Sequence, residues 1–415
     1  MGFANGFNLK TGQLYSLDTL PSPPEYPQLE EDIRCDVLII GGGEAGGLCS
    51  YYLTQNQVDT VLIERRKIGH GSTSANTGLI QFTNDKSLTS CIHSFGEEKG
   101  VRYYKLCEKA VEDLGQIAST LEINPDYKRR DSLYIASSPQ DVPSLQQEYH
   151  TLKKHGFPVK YMTKEEIEGT FSFSRAGGIY GSGDAELNPF KLANGLVYES
   201  AKKGMRVFQE TDIVSHIFGK DSITFITKNR KKITAKKAII ATGYETQKQF
   251  KRNPNAALAS AYAIATQQLE DFPGWHNRCL IWETARPYLF MRTTADNRII
   301  AGGLDEPTYQ SGKRDSMLLH KRDILLQKVQ ELFPQITNLR ANYYWSATFG
   351  TTHDGLPMVG SQEDYPHCYF ALVYGGNGTV YSTIAAEILS DLIIKGRHPD
   401  AELFRFERQP SLTMV

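Results

Sequence analysis

Residues 36–46, which read DVLIIGGGEAG, decide the fold of this 415-residue chain. The apolar run at 37–40 predicts a buried parallel strand, and the pattern from about Glu44 to Gln55 predicts a helix. A second buried strand follows at 60–63. Together these elements predict a βαβ unit, for which a right-handed crossover is the default.

The turn between the first strand and the helix has the pattern G-x-G-x-x-G. Gly41 permits the tight turn, Gly43 lets the backbone approach a pyrophosphate, and Gly46 lets helix and strand pack closely. The N–H groups of Glu44 and Ala45 open the helix, where the backbone favours a negative charge. These five residues therefore predict a dinucleotide site.

The second strand is followed by Glu64, 18 residues beyond Gly46, close to the ~20 expected for a ribose-binding acid. A carboxylate there accepts hydrogen bonds from ribose hydroxyls and repels a 2′-phosphate. NADP is therefore disfavoured, although Arg65 and Arg66 leave it open. The fingerprint alone does not separate FAD from NAD.

Three further segments favour FAD, because an extended FAD draws on several segments far apart in sequence. One is a small, hydroxyl-rich loop after Glu64, the second follows a buried strand at 238–242, and the third is a glycine loop before a C-terminal helix. We expect these segments to supply Gly71, Ser72, Thr73, Ser74, Asn76, Thr77, Gly78, Leu79, Thr242, Gly243, Gly375, Gly376, Asn377 and Gly378 as cofactor contacts.

Composition and charge exclude several other classes of protein. The chain is 40% hydrophobic with a formal net charge of −1, so no nucleic-acid partner is expected. No apolar run approaches the ~18–20 residues that span a membrane, and no signal peptide is evident. Six scattered cysteines without a CxxC pair predict neither a metal site nor a disulfide framework, and favour a cytoplasmic location.

In their order and spacing these motifs resemble the D-amino-acid oxidase (DAO) family of FAD-dependent oxidoreductases, which includes glycine oxidase and sarcosine oxidase. The resemblance covers about residues 34–395. It extends to Asn188-Pro189, the strand at 298–303 and the stretch DGLPMVG at 354–360. The resemblance implies that the adenine lies near Ile213 and Val214, and that Gly355, Thr379 and Val380 join the cofactor site, with the loop at 375–380 at the flavin.

The fold that the resemblance implies is α/β. It has a Rossmann-like FAD-binding domain and an α+β substrate domain built on a large mixed or antiparallel sheet. We predict an N-terminal arm at 1–33 and a C-terminal tail at 401–415. The predicted FAD-binding domain is discontinuous, at 34–90, 175–252 and 346–400, and the substrate domain comprises 91–174 and 253–345.

The chain is also similar to an amine-oxidase-like branch of the family, related to oxidoreductases that carry a C-terminal Rieske domain. It ends at Val415 without such a domain, and its cysteines match no cluster-binding pattern. We therefore expect an external electron acceptor, either O2 or a carrier.

Two departures from the family pattern bear on the substrate and the cofactor. Amino-acid oxidases of the family place a carboxylate-binding arginine in the segment equivalent to 345–350, which here reads WSATFG. A free α-carboxylate would then need Arg292 or Arg286 as its partner. The same segment has no cysteine to tether a flavin, which predicts noncovalent FAD, with His70 as the alternative tether.

The resemblance implies oxidation of a C–N bond of an amine or N-substituted amino acid. Hydride would pass to flavin N5 and leave an imine that hydrolyses. We take Tyr288, Arg292, Trp345 and His353 as candidate catalytic residues, because each flanks a segment that should reach the flavin. A surface position for Arg292, a core position for Trp345 and a structural role for His353 remain open. The alternative functions are a hydroxy-acid dehydrogenase of the same fold, a non-catalytic flavoprotein and a nicotinamide-only enzyme.

Overall fold

The computed structural model describes residues 8–246 and 256–408. The first seven residues of the predicted arm, the last seven of the predicted tail and the predicted domain limit at 252/253 lie outside the described residues. Two large sheets organise the described part of the chain, one of eight strands and one of ten. The predicted α/β class is confirmed.

The eight-stranded sheet contains the predicted βαβ unit. Its strands are β2 (Ile33–Ile40), β3 (Thr60–Ile63), β8 (Arg206–Phe208), β9 (Ile213–Phe218), β10 (Ile223–Thr227), β11 (Lys232–Ile240), β17 (Met358–Ser361) and β18 (Cys368–Leu372). The order β18-β11-β2-β3-β8 is parallel throughout. Ile39 and Leu38 point to opposite faces and are both fully buried, because helices cover one face and β9 and β10 the other.

The ten-stranded sheet is built from nearly the whole length of the chain. Its strands are β1 (Lys10–Gln13), β4 (Leu79–Ile80), β5 (Lys128–Ile135), β6 (Val159–Thr163), β7 (Gly177–Glu186), β12 (Ala256–Thr266), β13 (Leu280–Glu283), β14 (Leu289–Thr293), β15 (Ile299–Glu306) and β16 (Ala341–Thr352). Most of its pairs are antiparallel, and β13 with β5 is parallel. This is the mixed sheet predicted for the substrate side.

Helices pack on the outer faces of both sheets. They are α1 (Tyr15–Asp18), α2 (Glu44–Gln55), α3 (Leu88–Phe95), α4 (Glu97–Thr120), α5 (Val142–Lys154), α6 (Lys164–Thr170), α7 (Pro189–Lys202), α8 (Ser311–Ser316), α9 (Leu318–Leu332), α10 (Gly378–Lys395) and α11 (Ala401–Phe404). The helix α2 lies between α7 and α10. Asn188 caps α7 as its sequence predicts, accepting hydrogen bonds from the backbone N–H groups of Phe190 and Lys191, both at 3.1 Å.

The described part of the N-terminal arm packs on the body of the protein. Strand β1 pairs antiparallel with β16 and forms one edge of the ten-stranded sheet. The hydroxyl of Tyr15 donates a hydrogen bond of 2.5 Å to Asp296, and its ring meets that of Tyr343 edge to face. The arm is thus part of the fold.

Sheet membership differs from the predicted domain limits in three places. The predicted FAD-binding segments at 34–90 and 175–252 contain β4 and β7, yet both strands belong to the ten-stranded sheet. Strand β16 crosses the predicted limit at 345/346. A strand joins the sheet that contains its hydrogen-bonding partners, and these partners lie far away in sequence. The residues of the strand itself therefore do not predict which sheet it joins.

Among the described residues, no helix is both long enough and apolar enough to cross a membrane.

Candidate active site

One large cavity runs between the carboxyl ends of the parallel strands and the inner face of the ten-stranded sheet. It measures about 1690 Å³ when its open mouth is included. Ligands of α/β proteins bind in the crevice outside the carboxyl ends of the strands. At one end the cavity meets the glycine turn and Glu64, and at the other it meets β14 and β15.

The glycine turn brings β2, β11 and α2 closer together than side chains would allow. Gly41 has φ of +114°, and a Cβ there would lie 2.4 Å from the carbonyl oxygen of Ala241. A Cβ at Gly46 would lie 1.8 Å from the carbonyl oxygen of Gly41. A Cβ at Gly43 would lie 2.9 Å from the hydroxyl of Thr73. The turn therefore presents bare backbone to the cavity at the N-terminus of α2.

The carboxylate of Glu64 is fixed at the end of β3. One oxygen accepts the backbone N–H of Gly42 at 2.8 Å, and the other accepts that of Arg66 at 2.7 Å. Burial raises the pKa of Glu64 above its usual range. Each oxygen keeps a lone pair, so the side chain can still accept a hydrogen bond from a sugar hydroxyl in the cavity.

Glu44 ties the cofactor segments to one another. Its carboxyl group accepts hydrogen bonds from Thr379 on α10 at 2.5 Å and from Asn76 at 2.9 Å. Its backbone N–H donates to the hydroxyl of Thr73 at 3.1 Å. Burial raises the pKa of Glu44. The turn, the hydroxyl-rich loop and α10 thus form one bonded unit.

The far end of the cavity is a row of side chains on one face of the ten-stranded sheet. Directly paired residues on neighbouring strands share a face, and one such row crosses seven strands. In order it contains Gly12, Trp345, Ala263, Gly302, Phe290, Trp282 and Tyr134. Trp345, Ala263 and Phe290 line the cavity. The rings of Trp282 and Tyr134 stack with their centres 3.7 Å apart and line a smaller cavity.

Two carboxyl groups lie at this far end. Asp305, on β15, lines the large cavity, and Asp85 lines the smaller cavity next to it. The side chain of Tyr288 and the backbone N–H of Gly376 hydrogen-bond to Asp85, and burial raises its pKa. Burial and the nearby charge of Asp85 raise the pKa of Asp305 to about 7. The guanidinium of Arg286 lies 4.9 Å from the centre of the Tyr288 ring.

Most of the predicted cofactor residues line the large cavity. They are Gly41, Gly43, Glu44, Ala45, Glu64, Arg65, Gly71, Ser72, Thr73, Asn76, Thr77, Ile213, Thr242, Gly243, Gly375, Gly376 and Gly378. The other predicted cofactor residues are not part of this lining. They are Gly46, Ser74, Gly78, Leu79, Val214, Gly355, Asn377, Thr379 and Val380.

Of the four candidate catalytic residues, Tyr288 and Trp345 line the large cavity. Arg292 does not, contrary to our expectation. Its guanidinium is buried and donates to the carbonyl oxygens of Thr77 at 2.5 Å, Thr293 at 2.8 Å and Leu187 at 3.0 Å. Arg292 therefore lies behind the cofactor loop and holds it in place.

His353 is also absent from the cavity. It follows β16 in an exposed turn. Its position near the DGLPMVG stretch suggested a place in the pocket, but the turn carries the side chain to the surface. The structure therefore gives it no contact with the candidate site.

Sequence reasoning missed several residues of the cavity. Asp305 had a usable signal, since it follows the apolar, glycine-rich strand 299–303 as its first charged residue. Asp85 had none, because it lies in a loop with no regular pattern. Leu9, in the arm, and Tyr262 and Phe290, on the two strands β12 and β14 that flank β15, line the cavity only through long-range strand pairing.

The cavity fits an extended flavin dinucleotide. The bare glycine turn, the fixed Glu64 carboxylate and the hydroxyl-rich loop match a nucleotide, while the aromatic row and the glycine loop 375–378 can flank a flat ring system.

Comparison with known proteins gives one family and a consistent fold. The family model for FAD-dependent oxidoreductases, DAO, matches residues 36–392. Gamma-glutamylputrescine oxidoreductase of Escherichia coli (strain K12) is 22% identical over 91% of this chain and 87% of its own length.

Two solved structures share the fold. Glycine oxidase from Geobacillus kaustophilus superposes with a TM-score of 0.77 at 20% identity, covering 91% of this chain and 99% of its own. L-proline dehydrogenase from P. horikoshii superposes with a TM-score of 0.75 at 19% identity, covering 91% and 98%.

Proposed function

The chain belongs to the DAO family of FAD-dependent oxidoreductases, and on that premise we propose that it holds FAD noncovalently and oxidises a C–N bond of an amine or N-substituted amino acid. One observation carries the proposal. A single cavity joins the nucleotide-type turn at Gly41–Gly46 to an acidic, aromatic end at Tyr288 and Asp305. The first end suits the cofactor, and the second suits a basic substrate.

When bound, FAD supplies the redox chemistry by accepting a hydride from the carbon next to nitrogen, and the resulting imine hydrolyses. The protein must therefore bind the substrate, orient it and remove the proton of an ammonium. Asp305 is suited to accept that proton, because its pKa is raised to about 7. A carboxylate with such a pKa takes up a proton near neutral pH and so favours the neutral amine.

Tyr288 and Asp85 orient the substrate in this proposal. Tyr288 lines the cavity and bonds to Asp85, so its hydroxyl has a fixed direction. The aromatic rings of Phe290 and Trp345 cover the inner face of the site and exclude water. The indole N–H of Trp345 donates to the carbonyl oxygen of Ala75 at 2.9 Å, which fixes the ring against the cofactor loop.

Arg286 is our candidate for binding a substrate carboxylate. The other candidate, Arg292, has its N–H groups committed to backbone carbonyls. Arg286 is exposed and lies over Tyr288, beside the cavity lining rather than in it. Within the described part of the chain, only its Nη1 group donates to backbone carbonyl oxygens, those of Glu283, Thr284 and Ala285. Its guanidinium can pair with a carboxylate in two parallel hydrogen bonds. This position supports an N-substituted amino acid among the substrates to be tested.

Noncovalent attachment is supported by where the candidate tethers lie. All six cysteines are buried free thiols, and none of them is among the described residues that line the large cavity. His70 packs edge to face on Phe190 and likewise is not part of that lining. Free thiols also support our proposal of a cytoplasmic location.

The proposal can be tested with the purified protein. Its visible spectrum should show flavin bands, and the chromophore should pass through an ultrafiltration membrane after denaturation. Mixed anaerobically with amines and N-methyl amino acids, the protein should lose its ~450 nm band and release ammonia, an amine or an aldehyde. Bleaching by hydroxy acids alone would refute amine oxidation and support the oxidation of hydroxy acids. A flavoprotein that no substrate bleaches would refute catalysis.

A further inference from the structure

Charged side chains join two strands that are not neighbours at the nucleotide end of the cavity. Arg65 and Arg66 follow β3, and Glu245 ends the short turn after β11. One carboxylate oxygen of Glu245 lies 2.6 Å from Nη2 of Arg65 and 2.8 Å from Nη2 of Arg66. These three side chains, the arginine–glutamate clasp, all line the large cavity.

The clasp spans the end of the strand that lies between β3 and β11. Strand β2 pairs with both of them, and Ile40 lies opposite Ile240 on one side and Ile63 on the other. Because neighbouring strands are ~4.8 Å apart, the two backbones that the clasp connects are about 10 Å apart. After Ile40 the chain enters the turn at Gly41, which lines the same cavity. The clasp therefore crosses the part of the cavity next to the glycine turn, where a dinucleotide is expected.

The contacts favour a link between strands over a pair of charges kept for a ligand. Both guanidinium groups are directed at one carboxylate, and Arg66 donates to both of its oxygens, at 2.8 and 3.4 Å. The carboxylate is the fixed side of the link, because the side chain of Glu245 is 7% exposed and those of Arg65 and Arg66 are 20% and 31% exposed. The clasp can therefore open when the long arginine side chains swing towards solvent.

We propose that the arginine–glutamate clasp closes over the adenosine part of FAD and must open before the cofactor can leave. The inference rests on the proposed noncovalent binding of FAD and adds Glu245 to the residues that retain it. The adenosine part is the relevant one because Glu64, next to Arg65, can accept a hydrogen bond from a ribose hydroxyl. Ile213, where the adenine is expected, lines the same cavity.

The clasp and simple electrostatics predict opposite effects of one substitution. The diphosphate of FAD is negatively charged, so removal of the Glu245 carboxylate takes away a repulsive charge. Electrostatics alone would then slow the dissociation of FAD. Loss of the clasp would speed it, since the link that covers the nucleotide is broken. The rate constant of dissociation, koff, separates the two.

The test is the release of FAD from the purified holoprotein after dilution, followed by the recovery of flavin fluorescence. Glu245→Gln keeps the size of the side chain and removes its charge. Its koff should rise about tenfold or more, the range for losing hydrogen bonds to a charged group. The visible spectrum of the bound flavin should stay the same, because the flavin ring lies at the other end of the cavity.

A second variant keeps the charge and changes only the reach. Glu245→Asp draws the carboxylate back by one methylene group, so it no longer meets both arginines at hydrogen-bonding distance. Its koff should rise by at least about threefold, although the charge near the diphosphate is unchanged. This variant also decides the question if Glu245→Gln does not fold.

The matched control breaks an arginine–carboxylate pair at the opposite edge of the same sheet. Asp59 pairs with Arg206 at 2.9 Å, where β3 and β8 begin. Neither residue is part of the described cavity lining. Asp59→Asn should release FAD at the rate of the wild type. The proposal is overturned if either change at Glu245 lowers koff or raises it less than about threefold, or if Asp59→Asn raises it equally.

Other failures would look different. A link with only a structural role would lower the thermal unfolding temperature of deflavinated Glu245→Gln and leave koff unchanged, which also overturns the proposal. A wild type whose flavin stays attached after denaturation refutes noncovalent binding and the clasp together. A wild type that releases FAD but oxidises no amine refutes the proposed reaction alone, and the comparison of koff values remains decisive.

Discussion

The two ends of the cavity are built in different ways. The nucleotide end is made mostly of short, contiguous segments. The backbone conformation that each residue must adopt there depends on its neighbours in sequence. The far end is made of single residues from β14, β15 and β16 and from the loop before α3, which meet only when ten strands have paired. The first end tolerates little change in shape, whereas the second depends on charge and on which face of a strand a side chain occupies.

The largest effect should come from the turn at the nucleotide end. Gly46→Ala places a Cβ within 1.8 Å of the carbonyl oxygen of Gly41, so β2 and α2 must separate. We expect the free energy of unfolding to fall by more than about 3 kcal/mol and FAD to be lost. Urea unfolding and flavin content measure both. As a control, Gly312→Ala has open space around its Cβ and should be as stable as the wild type, while an equally stable Gly46→Ala would contradict the close packing.

Two arginines near each other in sequence should behave in opposite ways. Arg292→Met leaves three backbone carbonyls without their charged donor, which should lower the free energy of unfolding by about 3 kcal/mol. Arg286→Met removes an exposed side chain, so stability should change by less than about 0.5 kcal/mol. Instead, the KM of substrates with a carboxylate should rise, and that of simple amines should not. Equal effects of the two variants on stability would refute the distinction.

Asp305 should give the far end its pH dependence. Its folded pKa of about 7 exceeds the unfolded value of ~3.9, so the folded state holds more protons and loses stability as pH rises from about 4 to about 7. Asp305→Asn should therefore be more stable than wild type by about 2 kcal/mol at pH 8, a value reduced for partial exposure to solvent. The difference should vanish near pH 4.

The same variant tests the proposed proton acceptor. In the wild type kcat/KM should rise with pH through about 7, as Asp305 becomes charged, and Asp305→Asn should lack that rise. A rise that persists unchanged in the variant would assign it to another group, such as the substrate amine. Flavin content should be the same in both proteins.

The smallest effect should come from His353. Because its side chain is exposed and outside the cavity, His353→Ala should change kcat/KM by less than about twofold, in line with surface substitutions in general. A larger loss of activity with normal flavin content would return His353 to the site and extend the far end beyond β16.

The sequence predicted the nucleotide end well because its signals are local. Gly41 is a glycine with positive φ, and Glu64 is a carboxylate after a buried strand. The roles of both residues can be explained within one βαβ unit. The position of Arg292 could not be read in the same way. Arg292 lies on the same face of β14 as Phe290, two residues farther along the strand, where the loop at Thr77 covers the sheet. Strand periodicity predicts the face of a side chain, but it does not predict how far along the strand the cavity extends.

The sequence by itself determined the family, the parallel nucleotide-binding unit and most of the segments expected to meet the cofactor. These features depend on short-range backbone geometry, which requires glycines, helix caps and apolar runs at positions that can be recognised in the sequence. Only the tertiary structure decided that Asp85 and Asp305 both lie near Tyr288, that Arg292 supports a loop, and that Leu9 of the arm lines the cavity. Those contacts arise from the register of strands far apart in sequence, and pairing over such distances is fixed by the assembled sheet as a whole.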